Sequence, residues 1–289
     1  MKTTGWLIYR KDDAVKNESF IRWFMEEANN QNITLLLILR ENLEVGIHHN
    51  RFTASYQQKT IQIPTLAIVR TIEPQLNFIL EQMGIQVYNS SEISRICNHK
   101  GLTHLYVQML GIPMVDTIFT KTDCLTETPP IPFPLVVKEV AGRGGKQVHF
   151  LPDQQTWQHV TIQLPQGDVI IQSSADVQPG RDIRVFVVGK KIIGAVLRKS
   201  DNDFRANFTL GGTAEWYELS QSEKETIQTI INHFDFGMVG IDFLIDHTGR
   251  LLFNEMEDVV GSRTLSEVSE VNILKEYIKL IKHSLKIDK

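Results

Sequence analysis

The sequence predicts a mixed α/β (α+β) fold in which a small doubly wound domain precedes a larger region of short strands. Two observations lead to this prediction. Strand-like and helix-like segments alternate over roughly the first 90 residues, and short apolar strands dominate from Leu135 onward. The composition agrees, because 289 residues with 42% hydrophobic and 22% charged residues are typical of a globular protein with two or three domains.

The first part of the chain predicts a β-α-β-α-β unit. Residues 34–39 form a continuous apolar run, as expected of a parallel strand covered on both faces. Residues 19–28 place apolar side chains at helical spacing, and a second helix ends at Gly84. Such an alternation predicts a doubly wound sheet. The predicted elements are strands at 6–9, 34–39, within 61–70 and at 85–88, and helices at 19–28 and 74–83.

The remainder of the chain predicts antiparallel strands with few helices. One helix over residues 91–110 ends at Gly111, and residues 116–134 predict a strand followed by a surface connection. Turns at 188–191 and 246–249 join pairs of strands. The further predicted elements are strands at 135–140, 147–151, 169–172, 183–188, 192–198, 239–245 and 250–255, and helices at 222–234 and 268–285.

Charge and cysteine content limit the class of protein. The formal net charge is −4, whereas proteins that neutralise nucleic-acid phosphates are usually more basic, so we expect no nucleic-acid partner. The first residues lack signal-peptide features, and the longest apolar run, residues 33–39, is too short to cross a bilayer. Cys97 and Cys124 lack metal-ligand spacing, which favours two buried thiols in a reducing cytosol over a disulfide. These features predict a cytoplasmic protein without a membrane partner and leave a homo-oligomer open.

The first candidate motif is a lysine followed by a glycine-rich loop. Lys138 ends an apolar strand, and the glycines begin four residues later at Gly142. Glycines let backbone N–H groups approach anionic oxygens, and the lysine adds a point charge. The spacing matches neither a P-loop nor a dinucleotide-binding fingerprint. The motif predicts a phosphate-binding loop, with a plain hairpin turn as the alternative.

The second candidate motif is a set of three carboxylates on two neighbouring strands. In a hairpin that turns near Thr248, Asp242 faces Glu255, and the period of two puts Glu255 and Glu257 on one face. Three like charges among apolar residues repel one another unless a cation compensates them, and carboxylate oxygens suit Mg²⁺ that also contacts phosphates. The set predicts a metal site for Mg²⁺, with Mn²⁺ as a second choice. Exposed strand residues paired with lysines are the structural alternative.

The third candidate motif is a polar stretch between two strands, residues 197–213. Arg205 suits bidentate recognition of phosphate or carboxylate, and Asn207 follows it ahead of the pair Gly211-Gly212. Alone, this stretch is more typical of a surface turn than of an active-site loop.

Together and in this order, the segments resemble the ATP-grasp superfamily and, within it, the RimK-type amino-acid ligases. The resemblance runs from about residue 98 to residue 265. It is carried by Asn98-His99-Lys100 with Gly111-Ile112-Pro113, by residues 134–138, by residues 180–185, and by Arg198 with Phe204-Arg205-Ala206-Asn207 and Gly211-Gly212. The last of these matches is specific, and it favours an active-site loop for Arg205 over a surface turn.

The resemblance implies a site for ATP. Lys100 and Lys138 would contact the phosphates beneath the glycine loop, and the backbone of residues 172–174 would pair with adenine. Asp182 would meet the ribose or order its strand, and Arg205 would stabilise charge on the transferring phosphoryl group. The implied nucleotide-binding residues are Lys100, Lys138, Gly142, Gly144, Gly145, Gln172, Ser173, Ser174, Asp182, Arg198 and Asn207, and the implied catalytic residue is Arg205.

The resemblance also implies a domain organisation and a reaction. An ATP-grasp fold holds ATP between two α+β subdomains, here residues 96–172 and 173–289, after a Rossmann-like domain over residues 1–95. The expected enzyme is an ADP-forming ligase that activates a carboxylate as an acyl-phosphate and joins it to an amine. The expected substrate is an amino acid or a peptide.

The sequence departs from the family pattern after Glu255. The family shows Glu-x-Asn and then a Pro-Gly stretch, whereas this chain has Glu257 followed by a different segment over 258–264. Two alternatives to a ligase therefore stay open, namely a kinase that phosphorylates a small molecule and a non-catalytic ATP-binding module. Arg184 and Arg263 are candidates for binding a substrate carboxylate, with a salt-bridged surface residue as the alternative for each.

Overall fold

The N-terminal region is built around a parallel sheet. The structure, a computed structural model of the chain, describes residues 3–142, 147–206 and 211–286. In the N-terminal region the chain forms β1 (Thr3–Tyr9), α1 (Lys11–Lys16), α2 (Glu18–Asn30), β2 (Ile33–Leu39), β3 (Leu43–His48), β4 (Arg51–Tyr56), β5 (Lys59–Thr60), β6 (Leu66–Val69), α3 (Pro74–Gln82) and β7 (Gln86–Tyr88). The strand order is β2-β1-β6-β7, with every pairing parallel.

This region confirms the predicted alternation of strands and helices and adds one feature. Continuous burial of β1 over residues 5–9 reflects its central place in the sheet, where both faces are covered. The strands β3, β4 and β5 form a separate antiparallel sheet that the sequence analysis did not assign. Most of their side chains are partly or fully exposed, so they lack the apolar run that marks a buried strand.

The central region forms an antiparallel sheet next to two helices. Its elements are α4 (Ser91–Cys97), α5 (Lys100–Gln108), β8 (Thr117–Lys121), β9 (Leu135–Glu139), β10 (Val148–Leu151), α6 (Gln154–Thr161) and β11 (Asp168–Ser173), with the strand order β10-β9-β11-β8. The single helix predicted over 91–110 is wrong, because the chain breaks at Asn98 and His99. The His99 ring accepts a hydrogen bond from Leu102 N at 3.1 Å and so caps a new helix. Lys100 consequently lies at the first position of α5.

The C-terminal region forms a five-stranded antiparallel sheet. Its elements are β12 (Val177–Val188), β13 (Lys191–Lys199), β14 (Thr213–Trp216), α7 (Gln221–His233), β15 (Met238–Asp246), β16 (Leu251–Glu257), α8 (Arg263–Val268) and α9 (Ile273–Ser284), with the strand order β14-β13-β12-β15-β16. Both predicted turns are confirmed, and Asp242 lies opposite Glu255 as predicted. The predicted last helix begins later, at Ile273, and the short helix α8 precedes it.

One irregularity of the C-terminal sheet shapes its edge. Asp242 pairs with Glu255 but Phe243 pairs with Phe253, so Asn254 is an extra residue in β16. Such a bulge bends the strand and redirects its side chains. As a result Asn254 and Glu255 both line the same cavity, although they are neighbours in a strand.

The hydrophobic core connects the two ends of the chain. One cluster contains Leu7 and Phe24 from the N-terminal region together with Phe186 and Tyr277 from the C-terminal region. The central sheet has a separate cluster around Trp157. The domain boundaries near residues 95 and 172 stay predictions. In the described parts of the chain, the structure contains no helix long and apolar enough to cross a membrane.

Candidate functional site

The predicted site residues meet in one cavity of about 400 Å³ between the central and C-terminal sheets. The N-terminal end of α5 closes one side of it. Gly144, Gly145 and Asn207 lie outside the described residues. The predicted residues that line the cavity are Lys100, Lys138, Gly142, Gln172, Ser173, Ser174, Asp182, Arg198, Arg205, Asp242, Glu255 and Glu257.

Two lysines supply positive charge on the α5 side of the cavity. Lys138 stands near the end of β9, is only 8% exposed, and donates a hydrogen bond to Asn254 Oδ1 at 2.7 Å. Burial lowers the pKa of Lys138 to about 8, with Glu255 opposing this shift and Lys100 adding to it. Lys100 donates to the carbonyl of Gly142, and its Nζ lies 3.5 Å from Glu255 Oε2. The Lys100 ammonium group is therefore held at the point where the glycine loop starts, and the Lys138 ammonium group is held by Asn254.

Gly142 begins the glycine loop in a turn that has no space for a side chain. Its N–H donates to Glu139 O at 3.1 Å. A Cβ atom at this position would lie 2.9 Å from the Cβ of Gln147 and 3.3 Å from the Glu139 carbonyl oxygen. Glycine is thus favoured here by the close approach of Gln147 and of the Glu139 carbonyl, and the phosphate-binding role of the loop stays a prediction.

The predicted hinge strand offers polar groups from its side chains. The N–H groups of Ser173 and Ser174 donate to Asp116 O and Pro134 O, at 3.0 and 3.1 Å, and so are occupied by the protein itself. Gln172 Oε1 and Ser174 Oγ, in contrast, are buried without a hydrogen-bond partner among the described residues. Both residues line the cavity, Gln172 within β11 and Ser174 directly after the end of that strand. The structure therefore points to these side chains as contacts for a ligand.

A network of alternating positive and negative side chains runs across neighbouring strands of the C-terminal sheet. Arg198 holds Asp182 through two bonds of 2.6 and 2.7 Å and also donates to Asp242 Oδ2 at 2.8 Å. Arg184 holds Asp242 through two bonds of 2.8 and 2.7 Å, and its Nη1 lies 2.7 Å from Glu257 Oε2. Burial alone would raise the pKa of Asp242, but the Arg184 and Arg198 guanidiniums outweigh it and lower the pKa to about 2.

This network bears on the two roles implied for Asp182. Its carboxylate is 7% exposed and takes both of its bonds from Arg198, on the neighbouring strand. That arrangement favours ordering of the strand over contact with a ribose. Arg198 in turn serves as the bridge between two buried carboxylates, which together would be costly without it.

The predicted metal carboxylates fit a divalent cation only in part. Both oxygens of Asp242 are bonded to guanidinium groups, and the described residues contain no group of three or more His, Cys, Asp or Glu that could hold a metal ion. Glu255 and Glu257 differ from Asp242, because their side chains are 29% and 27% exposed and line the cavity. Their hard oxygen donors suit Mg²⁺ that is also bound by phosphate oxygens. A site with Glu255 and Glu257 as protein ligands fits the residues present, and Asp242 as a third ligand stays a prediction because both of its oxygens accept from guanidinium groups.

The candidate arginines differ in what they contact. Arg205 lines the cavity and forms a bidentate ion pair with Asp203, at 2.9 and 2.6 Å, while its guanidinium stacks over the Phe204 ring. Arg184 forms ion pairs with Asp242 and Glu257. Arg263 is exposed and donates to Asn17 Oδ1 at 3.3 Å. Of the two candidates for a substrate carboxylate, Arg263 is the one whose guanidinium does not hold a protein carboxylate within the described residues.

Three residues of the site were missed by sequence reasoning. His104 and Thr117 contact the Gln172 amide, at 2.9 and 3.0 Å, and Asn254 accepts from Lys138. His104 had a signal in the sequence, because it follows Lys100 by one helical turn. Asn254 had none, since its position depends on the bulge. The prediction that both cysteines are buried is correct for Cys97 and wrong for Cys124, which lies exposed.

Comparisons with known proteins agree with the geometry. The model of the RimK-like ATP-grasp domain matches residues 102–281. N-acetylaspartylglutamate synthase A of Homo sapiens is 26% identical over 272 residues, which cover 88% of this chain and 69% of that protein. Glutamate–LysW ligase ArgX of Sulfurisphaera tokodaii is 27% identical over 217 residues, which cover 71% of this chain and 76% of that protein.

A solved structure matches the fold over the full length. The ATP-grasp ligase PsnB, complexed with a minimal precursor, superposes with a TM-score of 0.71 and 16% identity over 100% of both chains. Another structure of PsnB, which matches with a TM-score of 0.68 and 15% identity over 98% of this chain and 99% of that chain, contains Mg and ADP. The predicted α/β fold of the ATP-grasp type is thereby confirmed.

Proposed function

Because the chain belongs to the RimK-like ATP-grasp family, we propose that it is an ADP-forming carboxylate–amine ligase acting on an amino acid or a peptide. The observation that carries this proposal is the single cavity that unites Lys100 and Lys138 with Glu255 and Glu257. These residues come from three separate parts of the sequence. Their types match the needs of phosphoryl transfer, which depends on positioning and on neutralisation of phosphate charge.

In the proposed complex the cavity binds ATP by its phosphates and its base. Lys100 and Lys138 neutralise phosphate charge at the start of the glycine loop, where Gly142 lets the backbone come close. The unpartnered Gln172 Oε1 and Ser174 Oγ contact the base, because they are buried polar atoms of cavity-lining residues that lack a partner within the described residues. Asp182 and Arg198 keep the sheet beneath the nucleotide in place.

The proposed reaction has two steps. A substrate carboxylate oxygen attacks the γ-phosphorus of ATP, the bond from that phosphorus to the β-phosphate oxygen breaks, and ADP leaves with the electron pair. An amine nitrogen then attacks the acyl carbon of the acyl-phosphate, the carbon–oxygen bond to phosphate breaks, and a proton leaves the nitrogen. Asp203 fixes the Arg205 guanidinium at the cavity wall, so Arg205 can stabilise the transferring phosphoryl group without reorganisation.

The residues that would hold a divalent cation are Glu255 and Glu257. When bound there, Mg²⁺, or Mn²⁺ in its place, would neutralise charge on the phosphate oxygens. Glu257 keeps a negative charge where the family pattern has asparagine, and Arg184 balances that charge. Asp242, in this proposal, is the counter-ion of Arg184 and Arg198 and acts on the cation site by positioning the strand beneath it.

The test is a product assay with pooled substrates. The purified chain is incubated with Mg²⁺, ATP, pools of N-acylated and free amino acids, and short peptides, and ADP, free phosphate and new masses are measured. L-glutamate belongs in the first pool, because it appears in the names of both relatives. An amide product with one ADP and one phosphate per turnover supports the ligase. A phosphorylated product without free phosphate would establish the kinase instead. ATP binding without acceptor-dependent ADP release in any pool would establish a non-catalytic module.

Two carboxylate variants and a control separate a cation ligand from a structural counter-ion. Glu255→Gln should lower turnover by about 100-fold or more without loss of folding, because a ligand is removed from a partly exposed position. Asp242→Asn should instead lower the free energy of unfolding by about 3 kcal/mol or more, because two buried guanidiniums lose their carboxylate. Glu270→Gln, an exposed site outside the cavity, is the control and should change neither quantity. Unchanged turnover in Glu255→Gln would remove Glu255 from the proposed cation site.

A further inference from the structure

The side-chain amide of Gln172 is held in one orientation at the cavity wall. Gln172 is 2% exposed, and its Nε2 lies 2.9 Å from His104 Nε2 and 3.0 Å from Thr117 Oγ1. These two contacts use both hydrogens of the amide nitrogen. The amide oxygen has no partner among the described residues. It is therefore a buried acceptor in a residue that lines the nucleotide cavity.

The orientation of this amide is set by His104. The Nδ1 atom of His104 lies 2.8 Å from the carbonyl oxygen of Lys100. A carbonyl can only accept, so Nδ1 carries the hydrogen, and in a neutral ring Nε2 is then an acceptor. Burial, together with the charge of Lys138, lowers the pKa of His104 to about 4, which keeps the ring neutral at physiological pH. An acceptor at Nε2 requires the Gln172 nitrogen, and not its oxygen, to point at the ring.

Without His104 the amide would lose this constraint. A rotation of 180° about the last side-chain bond would exchange the oxygen and the NH₂ group. Thr117 opposes this rotation only in part: its hydroxyl donates to Val115 O at 2.9 Å and so accepts from Gln172, but it could donate to a rotated amide oxygen by giving up that bond. Of the two contacts to the Gln172 nitrogen, the one from the His104 ring is therefore the stricter constraint on which amide atom faces the ligand, because a neutral ring with its hydrogen on Nδ1 cannot donate from Nε2.

From this geometry we propose that His104 is a positioning residue that selects adenine nucleotides over guanine nucleotides by fixing the Gln172 oxygen as an acceptor. This inference rests on the proposed function, which places a nucleotide in the cavity. The 6-amino group of adenine donates to a fixed acceptor. The 6-oxo group of guanine would bring a second acceptor against it, and a buried acceptor without a donor is strongly disfavoured.

The experiment measures the Kd of ATP and of GTP by calorimetry with Mg²⁺ and without acceptor substrates. The wild-type chain should prefer ATP by about 100-fold or more, as expected when a buried polar group of a site is left unpaired. In His104→Phe the ratio of the two constants should fall by about 10-fold or more, and the KM for ATP should change more than kcat does. His104→Gln keeps an acceptor near the Nε2 position and should restore most of the preference for ATP.

Thr103→Val is the matched control. Thr103 is fully buried on the same helix, and its hydroxyl donates to the same Lys100 carbonyl at 2.9 Å, but no contact joins it to Gln172 within the described residues. It should leave the ATP to GTP ratio unchanged. Gln172→Met, which removes the acceptor itself, should lower the ratio as much as His104→Phe, and the double variant should lower it no further.

Each outcome has a definite meaning. An unchanged ratio of the ATP and GTP dissociation constants in His104→Phe would overturn the positioning role. An equal loss of the preference for ATP in Thr103→Val would overturn it as well. If His104→Phe does not fold, the comparison of His104→Gln with Gln172→Met decides in its place, because only the second should lose discrimination. A wild-type chain that binds neither nucleotide would contradict the proposed function rather than this inference.

Discussion

Lys138 combines a buried position with a task that requires charge. Its pKa of about 8 leaves it cationic below that pH and increasingly neutral above it. A bound phosphate favours the charged form, so the pKa is higher in the complex than in the free protein. Affinity for ATP therefore falls as the pH rises from the pKa of Lys138 in the free protein toward its higher pKa in the complex.

This gives the first prediction, a pH dependence of ATP binding. The Kd of ATP should be flat below pH 8 and should then rise by up to about 10-fold per pH unit, the limit for loss of one proton. Lys138→Arg should remove this rise, because arginine stays charged throughout the range. Calorimetric titrations between pH 6.5 and 9.5 measure the effect, with the exposed Lys191→Arg as control. The prediction fails if Lys138→Arg and Lys191→Arg show the same profile.

At the scale of single residues, the sequence predicted where the site residues lie better than which residues they contact. Lys138, Asp242 and Glu255 could be found because strand periodicity and a hairpin register fix where they lie. The binding of Asp242 by Arg184 and Arg198 could not, since cross-strand contacts depend on the order β13-β12-β15, which no local pattern encodes. That order places Asp242 between two guanidinium groups, and its role as a metal ligand stays a prediction.

At the scale of elements, the loop that carries Arg205 is anchored by one glycine. Gly180 has a φ of +66°, its N–H donates to Phe204 O at 2.8 Å, and its carbonyl accepts from Ser200 N at 2.8 Å. A Cβ atom there would lie 2.2 Å from Ser200 O and 3.0 Å from Asp203 O. Any side chain must therefore displace the segment in which Asp203 orients Arg205.

The second prediction follows for Gly180→Ala. The substitution should lower the free energy of unfolding by more than about 2 kcal/mol, because left-handed backbone and a close contact are penalised together. Turnover should fall as well, because Arg205 moves with the segment. Urea unfolding and a turnover assay measure both effects. Gly46→Ala, where a Cβ atom would meet nothing within 4 Å, should stay within about 0.5 kcal/mol of wild type. Equal midpoints for the two variants would show that the close contact at Gly180 relaxes without cost.

Element types were predictable from periodicity, whereas breaks and edges were not. The strands β1 and β9 were found because both faces are buried, which leaves a continuous apolar run. The run of β2 also predicted a strand, but the expectation that both of its faces are covered is wrong, because β2 lies at the edge of the sheet and exposes Leu36 and Leu37. The break between α4 and α5 was missed, because residues 91–110 keep an apolar helical pattern across it. The cap at His99 depends on a ring nitrogen that a pattern of apolar and polar residues does not register.

At the scale of the whole molecule, the central sheet is packed separately from its neighbours. Its core around Leu135, Val137 and Trp157 forms its own cluster, whereas the N-terminal and C-terminal sheets share one. The helix α5 packs against both β11 and β16 and so joins the two walls of the cavity. A ligand that contacts both walls should accordingly couple the central sheet to the remainder of the protein.

The third prediction concerns this coupling and uses amide hydrogen exchange. Without nucleotide, the central sheet should exchange faster than β12 and β15, because small separate cores open at lower free energy than large shared ones. With Mg²⁺ and ATP at 100 times Kd, openings that abolish binding become costlier by about 2.7 kcal/mol, so exchange in β9 and β11 should slow by about 100-fold. Lys138→Met binds ATP poorly in this proposal and should show little slowing. Uniform exchange in all three sheets, or slowing confined to the C-terminal sheet, would mean that the nucleotide does not bridge the two walls of the cavity.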